Sequence, residues 1–143
     1  MIDLDKETIK DKKIKNLFEQ IEALISQLEQ YVVHNFETEE SLKLKHKIET
    51  GLKTIKNIIR NEEKFYKKEL FPYLSKTKQK KEIKKIKLLN KDKQKIINNL
   101  ISDINKLITN PDESIINKIN SLLKQMEWVL NEEIKEDEKI KSS

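Results

Sequence analysis

A chain of 143 residues is the size of one ordinary domain, and its 36% hydrophobic content is enough for a single core over residues 1–143. One Gly, two Pro and no Cys beside 38% charged residues exclude a Gly-rich phosphate loop, a disulfide scaffold and a cysteine-ligated metal or redox site, and leave too little turn chemistry for a β-sandwich or barrel. The net charge of +5 is nearly all lysine, with Arg60 the one arginine among 30 basic residues, whereas planar bidentate recognition of phosphate or guanine favours arginine.

Ile14, Leu17, Phe18, Ile21, Leu24, Ile25, Leu28, Tyr31 and Val32 recur at three- and four-residue steps, which predicts a helix with one buried face over about 5–34. Asp3 and Asp5 place carboxylates at its positive N-terminal end. NFETEES then holds a turn, with Thr38 as N-cap of a second helix over 39–70. That helix buries Leu44, Ile48, Leu52, Ile55, Ile58, Ile59, Phe65 and Tyr66, and Pro72 is expected to stop it. Ile83, Ile86, Leu89, Ile96, Ile97, Leu100, Ile104, Leu107 and Ile108 predict a third helix over 79–109. Asn110, Pro111 and Glu113 form a start signal for a fourth over 111–136: an N-cap, a proline at the first helical position and an acidic residue three after the cap. The tail after it is poor in apolar residues and is expected to fray. Short connections between long amphipathic helices predict an all-α antiparallel up-down-up-down four-helix bundle. A helical hairpin that dimerises is the rival.

Two charges interrupt the stripes. Stepping on from Ile55 and Ile59 lands on Glu62, and the step between Leu89 and Ile97 lands on Lys93. Three readings stay open for them: surface snorkelling at the stripe edge, an ion pair inside the bundle, or a working polar site.

The segment EEKFYKKELFPYLSK, with Leu70, Phe71, Pro72, Tyr73 and Leu74 at its end, resembles the close of the second helix in hemerythrin-like (HHE cation-binding) domains, four-helix bundles that hold a di-iron centre. The resemblance places Glu62 at a ligand histidine and Tyr66 at the bridging glutamate. It extends to DKQKIINNL, with Lys93 at another ligand histidine, and to MEWVLNEEIKEDE, where Trp128 and Glu132 stand for a His and a carboxylate. A register one residue later, Val129 and Glu133, fits the apolar stripe better. The first-helix histidine would fall near Asp11 or Lys12. Every ligand histidine that the resemblance places is replaced, and the chain has only His34 and His46. The expectation is therefore a degenerate interior site of Glu62, Tyr66, Lys93, Trp128 and Glu132, with no di-iron centre, no metal and no cofactor.

No cysteine nucleophile, Gly-flanked serine or phosphate loop suggests an enzyme. The acidic run Glu132, Glu133, Glu136, Glu138 reads as a solvated face. Lys76 to Lys95 holds ten lysines, and Lys80, Lys81, Lys84, Lys85 and Lys87 are the candidate contacts for a polyanion, although the run has no aromatic for stacking. The function expected is a non-catalytic bundle that binds a protein partner or itself. The alternatives are non-specific nucleic-acid binding through 76–95, and hemerythrin-like metal or oxygen binding with non-standard ligands. The chain has no apolar run of 18 residues and MIDLDKETIKDKK is no signal peptide, so a cytoplasmic protein without membrane contact is expected.

Overall fold

The computed structural model describes residues 4–33, 39–110 and 112–142. All regular structure among them is helical: α1 Leu4–Val33, α2 Glu39–Phe65, a π-helical turn Tyr66–Leu70, α3 Phe71–Lys76, α4 Lys80–Thr109 and α5 Glu113–Lys141. No described helix is long and apolar enough to cross a membrane. Thr38, His34 and Pro111 lie outside the described residues.

The long helices close a ring, in which α1 packs on α2 and α5, and α4 packs on the same two. On α1 the buried residues Ile14, Phe18, Ile21, Ile25 and Leu28 alternate steps of four and three, the spacing that keeps a seam facing its neighbours in bundles with small crossing angles. α2 buries Leu44, Ile48, Leu52, Ile55 and Ile59, α4 buries Leu89, Ile96, Ile97, Leu100, Ile104 and Leu107, and α5 buries Ile119, Leu122, Leu123, Met126, Val129 and Leu130. Polar pairs between helices fix the registers. Along α4 and α5 they are Glu82 with Lys139 at 3.1 Å, Lys85 with Glu136 at 3.1 Å and Asp103 with Lys118 at 3.5 Å. Asp5 of α1 meets Lys141 of α5 at 2.8 Å. Gly51 gives α1 close approach to α2, since a Cβ there would lie 2.9 Å from Ile21 Cδ1 and Cγ1.

Three boundaries differ from the sequence reading. Pro72 does not stop the second helix. In the π turn Phe71 N–H bonds the carbonyl of Tyr66, five residues back, and Pro72 falls in the first turn of α3, where its missing donor costs little. The start of α5 is capped by Asp112, whose carboxylate accepts from Ser114 N–H at 3.0 Å, and not by Asn110, which closes α4 with its own N–H on the Lys106 carbonyl. The tail does not fray before Lys141, because Ile140 is buried with Tyr66, Leu70, Leu74 and Ile86 in a second apolar cluster.

Helix α3 ends in a Schellman arrangement, with Gln79 N–H on the Leu74 carbonyl at 2.8 Å and Lys78 N–H on the Ser75 carbonyl at 3.4 Å. Lys78 sits there at φ 60°, a left-handed conformation that costs a side-chain-bearing residue about 1 kcal/mol. Lys78→Gly is expected to stabilise the fold by about 0.5–1 kcal/mol in urea unfolding. A loss of stability would show that the lysine side chain contributes more than the strain costs.

Candidate functional site

The apolar stripes of all four long helices turn polar at one level. Continued toward the N-terminus, the α1 rhythm passes from Ile14 to Asp11 and Glu7. On α2 it passes from Ile59 to Glu62, on α4 it meets Lys93, and on α5 it passes from Leu130 to Glu133 and Asp137. All of these are buried, with Glu62 and Lys93 at 0% exposure. Apart from Leu89, the main core lies on one side of this layer and the Tyr66–Ile140 cluster on the other. Charges enclosed between two apolar layers interact far more strongly than they would at the surface.

Lys93 is the seat of the layer. Its Nζ lies 3.4 Å from Glu62 Oε1, and 2.6 and 2.5 Å from the two oxygens of Glu133. The Tyr66 hydroxyl lies 2.9 Å from both Glu62 Oε2 and Glu133 Oε1. A phenol has a single proton, so it donates to one of these carboxylates at a time. Around this seat the protonation states diverge. Against the penalty of burial, the Lys93 ammonium, with hydrogen bonds from Asp11 and Tyr66, holds Glu62 below the ordinary carboxylate range. The two flanking carboxylates and Asp11 raise the Lys93 pKa despite its desolvation. Burial, with the charges of Glu133 and Glu62 behind it, pushes the Tyr66 phenol well up.

The α1 side lacks such compensation. Asp11 is 1% exposed, and neither of its carboxylate oxygens accepts a hydrogen bond from the described residues. It approaches Asp137 and Glu62 closely enough to share a proton with either, and burial, together with the Glu133 charge, drives its pKa far up. Burial also lifts Glu7 to about 7, helped by Glu62 and opposed by Lys10, which reaches it at 3.4 Å. Asp137 rises to about 6, first through burial. Five mutually interacting carboxylates (Glu7, Asp11, Glu62, Glu133, Asp137) thus face the Lys93 ammonium inside and that of Lys10 at the rim. What this arrangement can do chemically is hold further positive charge, as protons or as a cation.

Glu62, Tyr66 and Lys93 come together as one cluster, and Trp128 and Glu132 do not join it. Trp128 is 59% exposed on the outside of α5, and Glu132 faces the surface, near Lys85 at 3.8 Å and Lys135 at 3.5 Å. Their successors Val129 and Glu133 are the buried ones, which is the later of the two registers. Glu7 and Asp137 were not singled out from sequence, although extending the three-four rhythm past the last apolar residue would have found both. Of the candidate polyanion contacts, all five are exposed. Lys85 is engaged with Glu132 and Glu136, and Lys87 lies 5.3 Å over the Phe71 ring. His46 is exposed on α2.

The donor set does not fit the di-iron centre that the resemblance implies. It offers carboxylates, a phenol and an ammonium but no imidazole, and the Lys93 ammonium bonds Glu62 and Glu133, which stand at two of the ligand positions of the resemblance. Compared with known proteins, the chain matches no protein-family model, no curated protein and no solved structure.

Proposed function

We propose that this chain is a non-catalytic up-down-up-down four-helix bundle, similar to hemerythrin-like domains, in which an internal ammonium stands in place of a di-iron centre, and that it works through its surface as a protein-interaction or self-association module. The observation that carries this reading is the Lys93 seat, fully buried and bonded to Glu62 and Glu133. An ammonium held there neutralises the carboxylates that would otherwise attract iron, and it leaves no open coordination position between Glu62 and Glu133. Opposite polar pairings along α4 with α5, and α1 with α5, support the antiparallel order.

The surface role is supported by Trp128. It borders a shallow groove of about 370 Å³ floored by Ile96, Leu122 and Val129 and edged by Asp92 and Lys95. Tryptophan beside an apolar floor with a polar rim has the composition of interface hot spots. Metal analysis of the purified protein is the first test, with iron near two per chain overturning the reading. Sedimentation of wild type and Trp128→Ala is the second. Partner or self-association that survives the substitution would remove the groove from the proposal.

A second reading, polyanion binding, is favoured by one observation. Exposed Lys80, Lys81 and Lys84 on α4 lie in a helix that packs beside α2, which exposes Lys64 and continues into the π turn with exposed Lys67 and Lys68. A nucleic-acid titration at two salt concentrations tests it, because phosphate contacts made by lysines weaken steeply with salt.

A further inference from the structure

We propose that Glu7, Asp11 and Glu62 form a binding site for one hard divalent cation, of the Ca2+, Mg2+ or Mn2+ class, on the α1 side of the polar layer. The inference takes the Lys93 seat as given and goes beyond it, since the seat satisfies the α4 and α5 side of the layer and leaves the α1 side short of positive charge.

Three observations carry it. Each of the three residues is buried and offers one carboxylate oxygen, and these oxygens all lie within 4.8 Å of one another. That is the greatest separation at which oxygens can share one ion at a metal–oxygen distance of about 2.4 Å. Second, Asp11 is 1% exposed, neither of its oxygens accepts a hydrogen bond from the described residues, and one of them belongs to this group of three. A buried carboxylate without a donor is costly, and a cation at the centre of the three would satisfy it. Third, the backbone already presents the ligands. Glu7 and Asp11 are four residues apart on α1, so both project from one face, while Glu62 arrives from the facing α2.

The donor chemistry selects the ion. Three carboxylate oxygens, with no imidazole or thiolate, favour hard, oxygen-seeking cations over Zn2+ or Cu2+. Glu62 is shared between the two halves: one oxygen accepts from Lys93 and the other from Tyr66. It therefore contributes less charge to the cation than Glu7 and Asp11 do, which makes Asp11, with no competing donor, the decisive ligand.

The test uses the full chain after treatment with a chelator. Thermal unfolding with added Ca2+, Mg2+ or Mn2+ should show a midpoint that rises with cation concentration, by about 5–10 °C at a hundredfold excess over the dissociation constant. Electron paramagnetic resonance of bound Mn2+ should give one ion per chain. Asp11→Asn should not lower the midpoint of the metal-free protein, because neither Asp11 oxygen accepts a hydrogen bond that the amide would lose, and should abolish the rise on adding cation. Glu7→Gln should abolish that rise too, so the result does not depend on one variant folding. Glu138→Gln, on the exposed tail of α5, should respond like wild type. An iron-free protein with no response to any of the three ions would overturn this inference and leave the preceding reading standing. Two irons per chain would overturn both. A full response retained in both Asp11→Asn and Glu7→Gln would place the ion on the surface and overturn the site.

Discussion

Lys93→Met is expected to destabilise the protein by about 3–5 kcal/mol in urea unfolding near pH 7. The substitution removes the one ammonium held inside the layer while Glu62 and Glu133 stay buried, with 2.5–3.4 Å contacts to that ammonium lost. Tyr66 cannot replace it, because its phenol supplies one proton and no charge. The cost belongs to the stranded carboxylates more than to the lost pair, which gives a second expectation. Combining Lys93→Met with Glu62→Leu and Glu133→Leu should recover most of the loss, since apolar replacement of a buried ionic group is often neutral or stabilising. A single substitution costing under about 1 kcal/mol would mean that the ammonium reaches water and that the layer is not a closed network.

The stability of the chelator-treated protein is expected to fall as pH rises from about 4.5 to 8, the reverse of ordinary acid denaturation. Glu7 and Asp137 have folded pKa values raised to about 7 and about 6 from ordinary values of 4.5 and 3.8. Between the unfolded and folded values the native state holds more protons than the unfolded chain, so the slope of unfolding free energy against pH is negative. Glu7 faces Lys10 on its own helix, Glu62 on α2 and Asp137 on α5. Asp137 faces Asp11 on α1, Glu62 on α2, Lys93 on α4 and Glu133 on its own helix. Glu62 works in the opposite sense, since its lowered pKa gives stability that is lost as pH falls through the carboxylate range. Its effect lies below about pH 4.5, outside the window that Glu7 and Asp137 govern. The loss that these two groups give across that window is about 5 kcal/mol. Chemical denaturation at pH 5, 6, 7 and 8 in chelator measures it, and stability that rises steadily to pH 8 would contradict the protonation states assigned to the layer.

The helices were largely legible in the sequence, because each stripe follows one helical period and tertiary contact only reinforces it. The ends were less so. Pro72 is a stop signal in any local reading, yet the π turn before it supplies the i to i+5 bond that lets the chain continue to Lys76. The tail after Glu136 has few apolar residues, and the packing of Ile140 on Leu70 and Leu74, with Lys139 on Glu82 and Lys141 on Asp5, holds it helical to Lys141. At the site, Glu62 and Lys93 were visible because they interrupt apolar stripes in mid-run. Glu7 and Asp11 were harder to read, since they lie beyond the last apolar residue of a stripe, where a charge normally marks solvent, and Asp137 lies in an acidic run between Ile134 and Ile140.

By itself, the sequence determined a glycine-poor, cysteine-free, all-helical chain, the apolar face of each long helix and the absence of ligand histidines at the positions the resemblance identifies. These follow from residue type and period alone. The tertiary structure decided which charges meet. It brought Glu7 and Asp11 to Glu62 across α1 and α2, placed Glu133 rather than Glu132 on Lys93, and turned Trp128 outward. A one-residue change of register turns a helix face by about 100°, so neighbouring residues such as Glu132 and Glu133 end in water or in the core only once the opposing helices have set the register. An apolar layer closing over both ends of the polar cluster is likewise a property of four helices together, and it converts ordinary surface residue types into a buried charge network.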